Sequence, residues 1–263
     1  MGTWIKEGGS WKEATIGSVK VNGKWVASTD TFMKVNGRWE NTSAMPTTMD
    51  ITIKSPKKPN VVAGSSNALV LADGVGQWKV LGYGNIASIK IIRNELDDSE
   101  LITDIHIHKL NTVISIGGMC RADAKQSNLK TFVIDDNAMG TQITSTLGMF
   151  SSCRKLETID FGDNDYSRVK DFSLMFQDCS SLVTLDLSKF MENTKGDNFH
   201  QLFNGCSSLV CINILDTSHV AHSNWNTQQM FHGCTKLVHP DAATQQKIST
   251  VNVGFRYEKG SAC

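Results

Sequence analysis

Four cysteines of this chain recur at one fixed place. Phe150, Phe176, Phe203 and Phe231 each precede a cysteine by three residues (Cys153, Cys179, Cys206 and Cys234), and each cysteine precedes a leucine by three (Leu156, Leu182, Leu209 and Leu237). A reactive thiolate requires an electropositive, accessible setting. A cysteine fixed between Phe and Leu has the reverse, so these four read as small buried residues in a column. A disulfide between neighbouring repeats is the alternative. His106 and His108 stand at i and i+2 in a stretch with strand periodicity, so they share a face. No third ligand or supporting partner is legible beside them, and they read as solvated strand histidines rather than a metal site. His219 and His222 lie near Trp225 in the longest connector. They form a ligand-contact cluster, or Trp225 fills the extra volume of a longer repeat. "GGMC" and "GDND" lack the Lys-Ser/Thr or G-x-G-x-x-G frame of a phosphate cradle, and "GDNDYS" lacks the closing glutamate of a calcium loop. The sequence displays no catalytic constellation and no cofactor site, and the chain reads as a binder rather than an enzyme.

Composition narrows the partners. The 263 residues are 40% hydrophobic, and Lys+Arg and Asp+Glu balance at 26 each. A net charge of zero gives no long-range field toward nucleic acid or an anionic membrane. The apolar runs are too short to span a bilayer, and "MGTWIKEGGSWKEATIGS" has no apolar core or cleavage pattern of a secretory signal. Seven cysteines without a C-x-x-C pair argue against zinc ligation or a disulfide-dense scaffold.

The elements that position these residues follow from two internal periods. Successive Phe-to-Cys blocks are offset by 26, 27 and 28 residues, and the runs "LETIDF", "LVTLDL" and "LVCINI" follow the first three cysteines. "NLKTFVI" lies one period upstream, and "NTVISI", "ITDIHI" and "IASIKI" are looser relatives, giving six to eight units. The period-2 alternation within each run predicts a short strand with one buried face. Units too short to bury that face alone must stack on their neighbours, which predicts a parallel-sheet solenoid. The pattern M-F-x-x-C-x-x-L-x-x-[IL]-[DN]-[FLI] resembles the BspA-type leucine-rich repeat, and "ILDTSHVAHSNWNTQQMFHGCTKL" resembles that family's Asp-Thr-Ser-x-Val connector. The resemblance is specific over residues 120 to 240 and weaker over 80 to 119. Leu202 replaces Met before Phe203, and two connectors lack the Asp-Thr-Ser element.

The second period is at the N-terminus. Trp11, Trp25 and Trp39 are spaced by 14 residues, each two after a glycine, with Lys6, Lys20 and Lys34 in phase. "VKVNGKWV" and "FMKVNGRWE" place Asn-Gly between alternating flanks, a hairpin signal. Residues 1–42 are therefore expected to form three small hairpins with a tryptophan ladder, either a docking surface or a cap on the solenoid. The exact period favours docking. The K-V-N-G-x-W repeat also resembles segments of bacteriophage tail and tail-fibre proteins, which implies a virion-attachment module. Residues 43–80 read as a linker with a small β element, since Pro46, Pro56 and Pro59 fall among "DITIK", "NALVLA" and "QWKVLGYG". The solenoid then runs over 81–240. Residues 241–263 read as a closing cap, a helix begun at Asp241 followed by the alternating Val251, Val253, Phe255 and Tyr257.

The expected fold class is thus mainly β: a leucine-rich-repeat solenoid preceded by a small β-hairpin module. In each run the residues between the apolar positions face outward, namely Thr131 and Val133, Thr158 and Asp160, Thr184 and Asp186, Cys211 and Asn213. Strand stacking about 4.8 Å apart makes them a ribbon of short polar groups suited to sugar hydroxyls or a polypeptide edge. The expected function is host-surface recognition by a bacteriophage tail or tail-fibre protein. Trp11, Trp25 and Trp39 would contact other tail proteins, and the ribbon with His219, His222 and Trp225 would contact a bacterial surface protein or glycan. The expected location is the virion tail, after assembly in the host cytoplasm, with homo-oligomerisation on the tail compatible with the role. No nucleic acid, no membrane insertion and no cofactor enter this reading. The alternatives are a BspA-like cellular surface adhesin and a structural tail protein without a receptor role.

Overall fold

The computed structural model describes the strands of residues 3–41 by their backbone, and residues 47–237 apart from 64–67, 84–85, 92–100, 123–126, 188–197, 214–225 and 227. The chain is mainly β, with open sheets and no α-helix among the described residues. The helix expected from Asp241 and the strand expected at Val251 to Tyr257 lie outside the described residues, as do His219, His222 and Trp225.

The N-terminal period gives three hairpins. β1 (Thr3–Glu7) pairs with β2 (Ser10–Ala14), β3 (Ser18–Val21) with β4 (Lys24–Ala27), and β5 (Phe32–Val35) with β6 (Arg38–Asn41), all antiparallel. Gly8-Gly9, Asn22-Gly23 and Asn36-Gly37 stand between the last paired residues, the dipeptides that two-residue hairpins favour. The registers repeat as well: Lys6 is opposite Trp11, Lys20 opposite Trp25 and Lys34 opposite Trp39. A Trp4 to Phe32 pairing joins the first and third hairpins into one sheet.

A six-stranded sheet follows, in the order β14-β13-β12-β7-β10-β9. β7 (Thr47–Lys54) lies between β10 (Gln77–Tyr83) and β12 (Asp104–Leu110), antiparallel to both, and β9 (Ala68–Ala72) closes the edge beyond β10. At β12 the sheet changes sense. β13 (Thr131–Ile134) and β14 (Thr158–Asp160) continue it in parallel, each advanced by one repeat. β15 (Thr184–Asp186) and β16 (Cys211–Asn213) form a second parallel pair. The repeat strands therefore divide between β14 and β15 rather than forming a single sheet. Asp160 and Asp186 line one pocket at that division. β8 (Val62–Ala63) and β11 (Ile89–Lys90) make a separate two-stranded ladder.

A second contact between repeats continues through this division. Parallel bridges join Ser88, Ser115, Ser145, Asp171, Asn198 and Asn226 in sequence. From Ser115 onward, each of these side chains accepts the backbone N–H two residues ahead, closing a local turn. The Met-Phe segments that follow stack by backbone hydrogen bonds: Phe150 N–H donates to the Met175 carbonyl, Phe176 to Leu202 and Phe203 to Met230, each at 2.9 Å. "NTVISI" and "IASIKI" belong to this second column, through Ser115 and Ser88, and not to the strand column. Both columns alternate apolar and polar residues, so the pattern alone did not separate them.

Phenylalanines fill the space between the two columns. Phe150, Phe176, Phe203 and Phe231 are buried and stack ring on ring, with centroids 5.7, 5.6 and 5.4 Å apart. Phe172 and Phe199 form a second stack at 5.3 Å. Ring planes 2° to 13° apart at these separations are offset stacks, which add to burial energy. Replacing Phe176 by Ala is expected to cost about 3–5 kcal/mol, because a ring is lost between two others. Val183→Ala, at a site 49% exposed, is expected to change stability by less than about 0.5 kcal/mol. Equal midpoint shifts of the two variants in urea would contradict this packing.

Candidate functional site

The cysteine column is a hydrogen-bonded ladder. The Sγ–H of Cys153 donates to the Cys120 carbonyl at 2.9 Å, Cys179 to Phe150 at 3.2 Å, Cys206 to Phe176 at 3.0 Å and Cys234 to Phe203 at 3.0 Å. The Phe150, Phe176 and Phe203 carbonyls also accept the N–H of the cysteine in their own repeat, so both lone pairs are used. Cys120 occupies the phenylalanine position of its repeat, since its N–H donates to Met149 as Phe150 donates to Met175. Cys120, Cys153, Cys179, Cys206 and Cys234 are all buried free thiols. Burial pushes the Cys153 and Cys234 thiols up to about 12 and those of Cys120, Cys179 and Cys206 well above the ordinary range. Cys153, Cys179, Cys206 and Cys234 are therefore structural donors, and Cys120 is a buried thiol whose carbonyl accepts the first of them; none has the accessible setting of a nucleophile. Cys211 lies outside the column, beside Thr184, and is disulfide-bonded.

The outward ribbon occupies the expected positions. Thr131 pairs with Thr158 and Val133 with Asp160; Thr184 pairs with Cys211 and Asp186 with Asn213. Thr158, Asp160, Thr184 and Asp186 are exposed and Thr131 is half-buried, while Leu156, Phe161, Leu182, Leu185 and Leu187 point into the core. A pocket of about 380 Å³ opens on this face, lined by Asp136, Asp160, Asp163 and Asp186 with Ile159 and Phe161. Asp160 accepts the Gly162 N–H and Asp136 accepts the Asp163 N–H, so two of the carboxylates are fixed by backbone donors. Gly162 sits at φ +58, and a Cβ there would meet the Ile134 carbonyl at 2.4 Å, so only glycine allows this turn after β14.

The same face carries a cluster that spacing within one strand did not disclose. His106 Nε2 contacts Asp135 Oδ1 at 2.5 Å, His108 Nδ1 contacts Asp135 Oδ2 at 2.7 Å, and His108 Nε2 contacts Thr52 Oγ1 at 2.9 Å. These histidines are partly exposed, as the sequence suggested, and in addition each is held by a partner that the sequence did not name. Three strands build the cluster: β7 supplies Thr52, β12 both histidines, and the residue after β13 the carboxylate. A bulge between Ile107 and Lys109 in the pairing with β7 makes His108 the extra residue. Alternate residues of a regular strand are about 6.6 Å apart, and the two imidazole centroids are only 4.1 Å apart. Hydrogen bonds from His106 and then His108 hold the Asp135 carboxyl below the usual carboxylate range, against a smaller opposing effect of burial.

The order Thr52, His108, Asp135 is that of a hydroxyl, base and acid in a hydrolase triad. Such a site also requires free N–H donors for an oxyanion. β7 is paired on both sides, so the backbone around Thr52 is committed to the ladder. The arrangement lacks that half of the machinery among the described residues. What it offers is two imidazole nitrogens and a carboxylate within 4.8 Å of one another.

These features define a mainly β repeat protein with an accessible polar face. Residues 119–245 match the family model described as "Mycoplasma protein of unknown function, DUF285". No curated protein and no solved structure matches the chain. The matched segment holds all four Phe-to-Cys blocks and leaves out the hairpins, β7 and both cluster histidines.

The ladder makes a direct forecast for thiol chemistry. In the native protein at pH 8, peptides containing Cys120, Cys153, Cys179, Cys206 and Cys234 should remain unlabelled by iodoacetamide, and all five should label in denaturant. Native labelling of any of them, read by peptide mass spectrometry, would contradict the burial of that thiol.

Proposed function

We propose that this chain is a surface-recognition protein in which a leucine-rich-repeat solenoid, expected over residues 81–240, presents the ligand face and the N-terminal hairpins provide attachment. The observation that carries the reading is the outward ribbon: Thr158, Asp160, Thr184 and Asp186 are exposed at equivalent positions of successive repeats. Short polar side chains held in two pieces of parallel ladder, joined across the division by the Ser145 to Asp171 bridge, bind an extended partner at low entropic cost, because the backbone has already ordered the groups that make contact. The partner is a bacterial surface protein or glycan. The attachment role rests on the threefold register of Lys6 with Trp11, Lys20 with Trp25 and Lys34 with Trp39, and its setting is a bacteriophage tail or tail fibre.

A second reading, a cellular surface adhesin of the BspA type, is favoured by the family match over residues 119–245, whose description refers to a cellular organism. Localisation separates the two: antibody against the chain labels purified phage particles in one case and intact producing cells in the other. In the phage setting, deletion of residues 1–42 should abolish incorporation into particles, and a truncated chain that still incorporates would contradict the attachment role.

Recognition itself is tested with the fluorescently labelled full chain on intact bacterial cells. Asp160→Lys combined with Asp186→Lys should weaken retention by at least about tenfold, as reversal of two contact charges does at an interface. The melting temperature should fall by no more than a few degrees, since both side chains are exposed and the Asp160 contact to the Gly162 N–H is a single surface hydrogen bond. Unchanged retention of that variant, or no retention of the parent on any strain, would count against the ribbon as the ligand face.

A further inference from the structure

We infer that His106, His108 and Asp135 form a binding site for one divalent first-row metal ion of the zinc type. The donor set is two imidazoles and one carboxylate, which suits Zn²⁺ and its neighbours and not the all-oxygen preference of Ca²⁺ or Mg²⁺. All three ligand atoms lie within 4.8 Å of one another. Ligands at about 2.0–2.1 Å from a tetrahedral ion are separated by about 3.3 Å from each other. The histidine–carboxylate contacts of 2.5 and 2.7 Å therefore open by less than about 1 Å to admit it. The ligating form of each histidine is the neutral imidazole with its one proton on the far ring nitrogen, so the nitrogen that faces Asp135 offers its lone pair to the ion; a doubly protonated ring reaches that form by releasing one proton to solvent.

Three further features fit a metal. His108 approaches the site through Nδ1, and its other ring nitrogen meets Thr52 Oγ1 at 2.9 Å, the supporting contact that fixes a ligating imidazole. The bulge at His108 draws both rings to one place on a strand that would otherwise hold them apart. The side chains of His106, His108 and Asp135 are 41%, 34% and 45% exposed, so an ion has a path from solvent. Three protein ligands leave a fourth position to water or to a group from a binding partner. The site stands on β12 and the residue after β13 and is independent of what the ribbon recognises.

Titration of the full, metal-stripped chain with ZnCl₂ by calorimetry tests the inference. One zinc per chain should bind at micromolar or tighter dissociation constant, and the zinc X-ray absorption spectrum should contain two imidazole nitrogens. Asp135→Asn and His106→Gln should each weaken binding by at least about tenfold, and Thr52→Val by about tenfold, the usual cost of losing a supporting contact. The unfolding transition of each variant without metal identifies any that fail to fold, and the other ligand substitution then serves. Undiminished zinc binding by both ligand variants would place the ion on other histidines and overturn the site, as would no binding by the parent chain.

Discussion

Each repeat is joined to the next through the main chain of its Met-Phe segment, and the rest of the molecule is arranged around that join. The carbonyl of the phenylalanine accepts one N–H from its own repeat and one thiol from the following repeat. A buried carbonyl with both lone pairs satisfied by groups on either side fixes the distance between repeats as well as their register. Phenylalanine rings can stack because that distance is constant, and the short strands can pair although β14, β15 and β16 are each only three residues long. The column continues where the strand pairing divides, so continuity of the array rests on turns more than on strands.

This constraint explains which parts of the fold were legible. The spacing of Phe, Cys and Leu survives in the sequence because each of the three sits in a space of fixed volume, and it led directly to the buried column and to the outward threonines and aspartates. Hairpins at the N-terminus were legible for a similar reason, since Asn-Gly and a period of 14 leave few other pairings. The turn-closing column was not legible, because Ser115, Ser145, Asp171, Asn198 and Asn226 share a hydrogen-bonding role but not a residue type. Left-handed backbone recurs two residues before each phenylalanine, at Gly148, Leu174, Gln201 and Gln229, and only one of these residues is the glycine that would have signalled it.

The His106, His108 and Asp135 cluster was not legible because its third group lies on a neighbouring repeat and not in the strand that carries the histidines. Asp135 follows His108 by 27 residues, a repeat length, and so falls beside it when repeats are laid in register. In a stacked array the neighbours of a residue are found one period away, and residues that look isolated in sequence acquire partners at that interval. The bulge that brings the two rings together has no comparable signal, because it arises from pairing with β7, outside the period.

The change of pairing sense at β12 has a consequence for how such a chain can lengthen. On one side, β7, β10 and β9 are fitted antiparallel to one another and to β12, each with its own register. On the other side, the described repeats present to their successors, in the bridge and Met-Phe column, the same backbone donors and acceptors that they received from their predecessors. A tandem duplication downstream of β13 therefore inserts a unit between compatible neighbours, whereas one upstream of β12 places mismatched edges against each other. Variation in repeat number among proteins of this architecture should therefore accumulate downstream of β13.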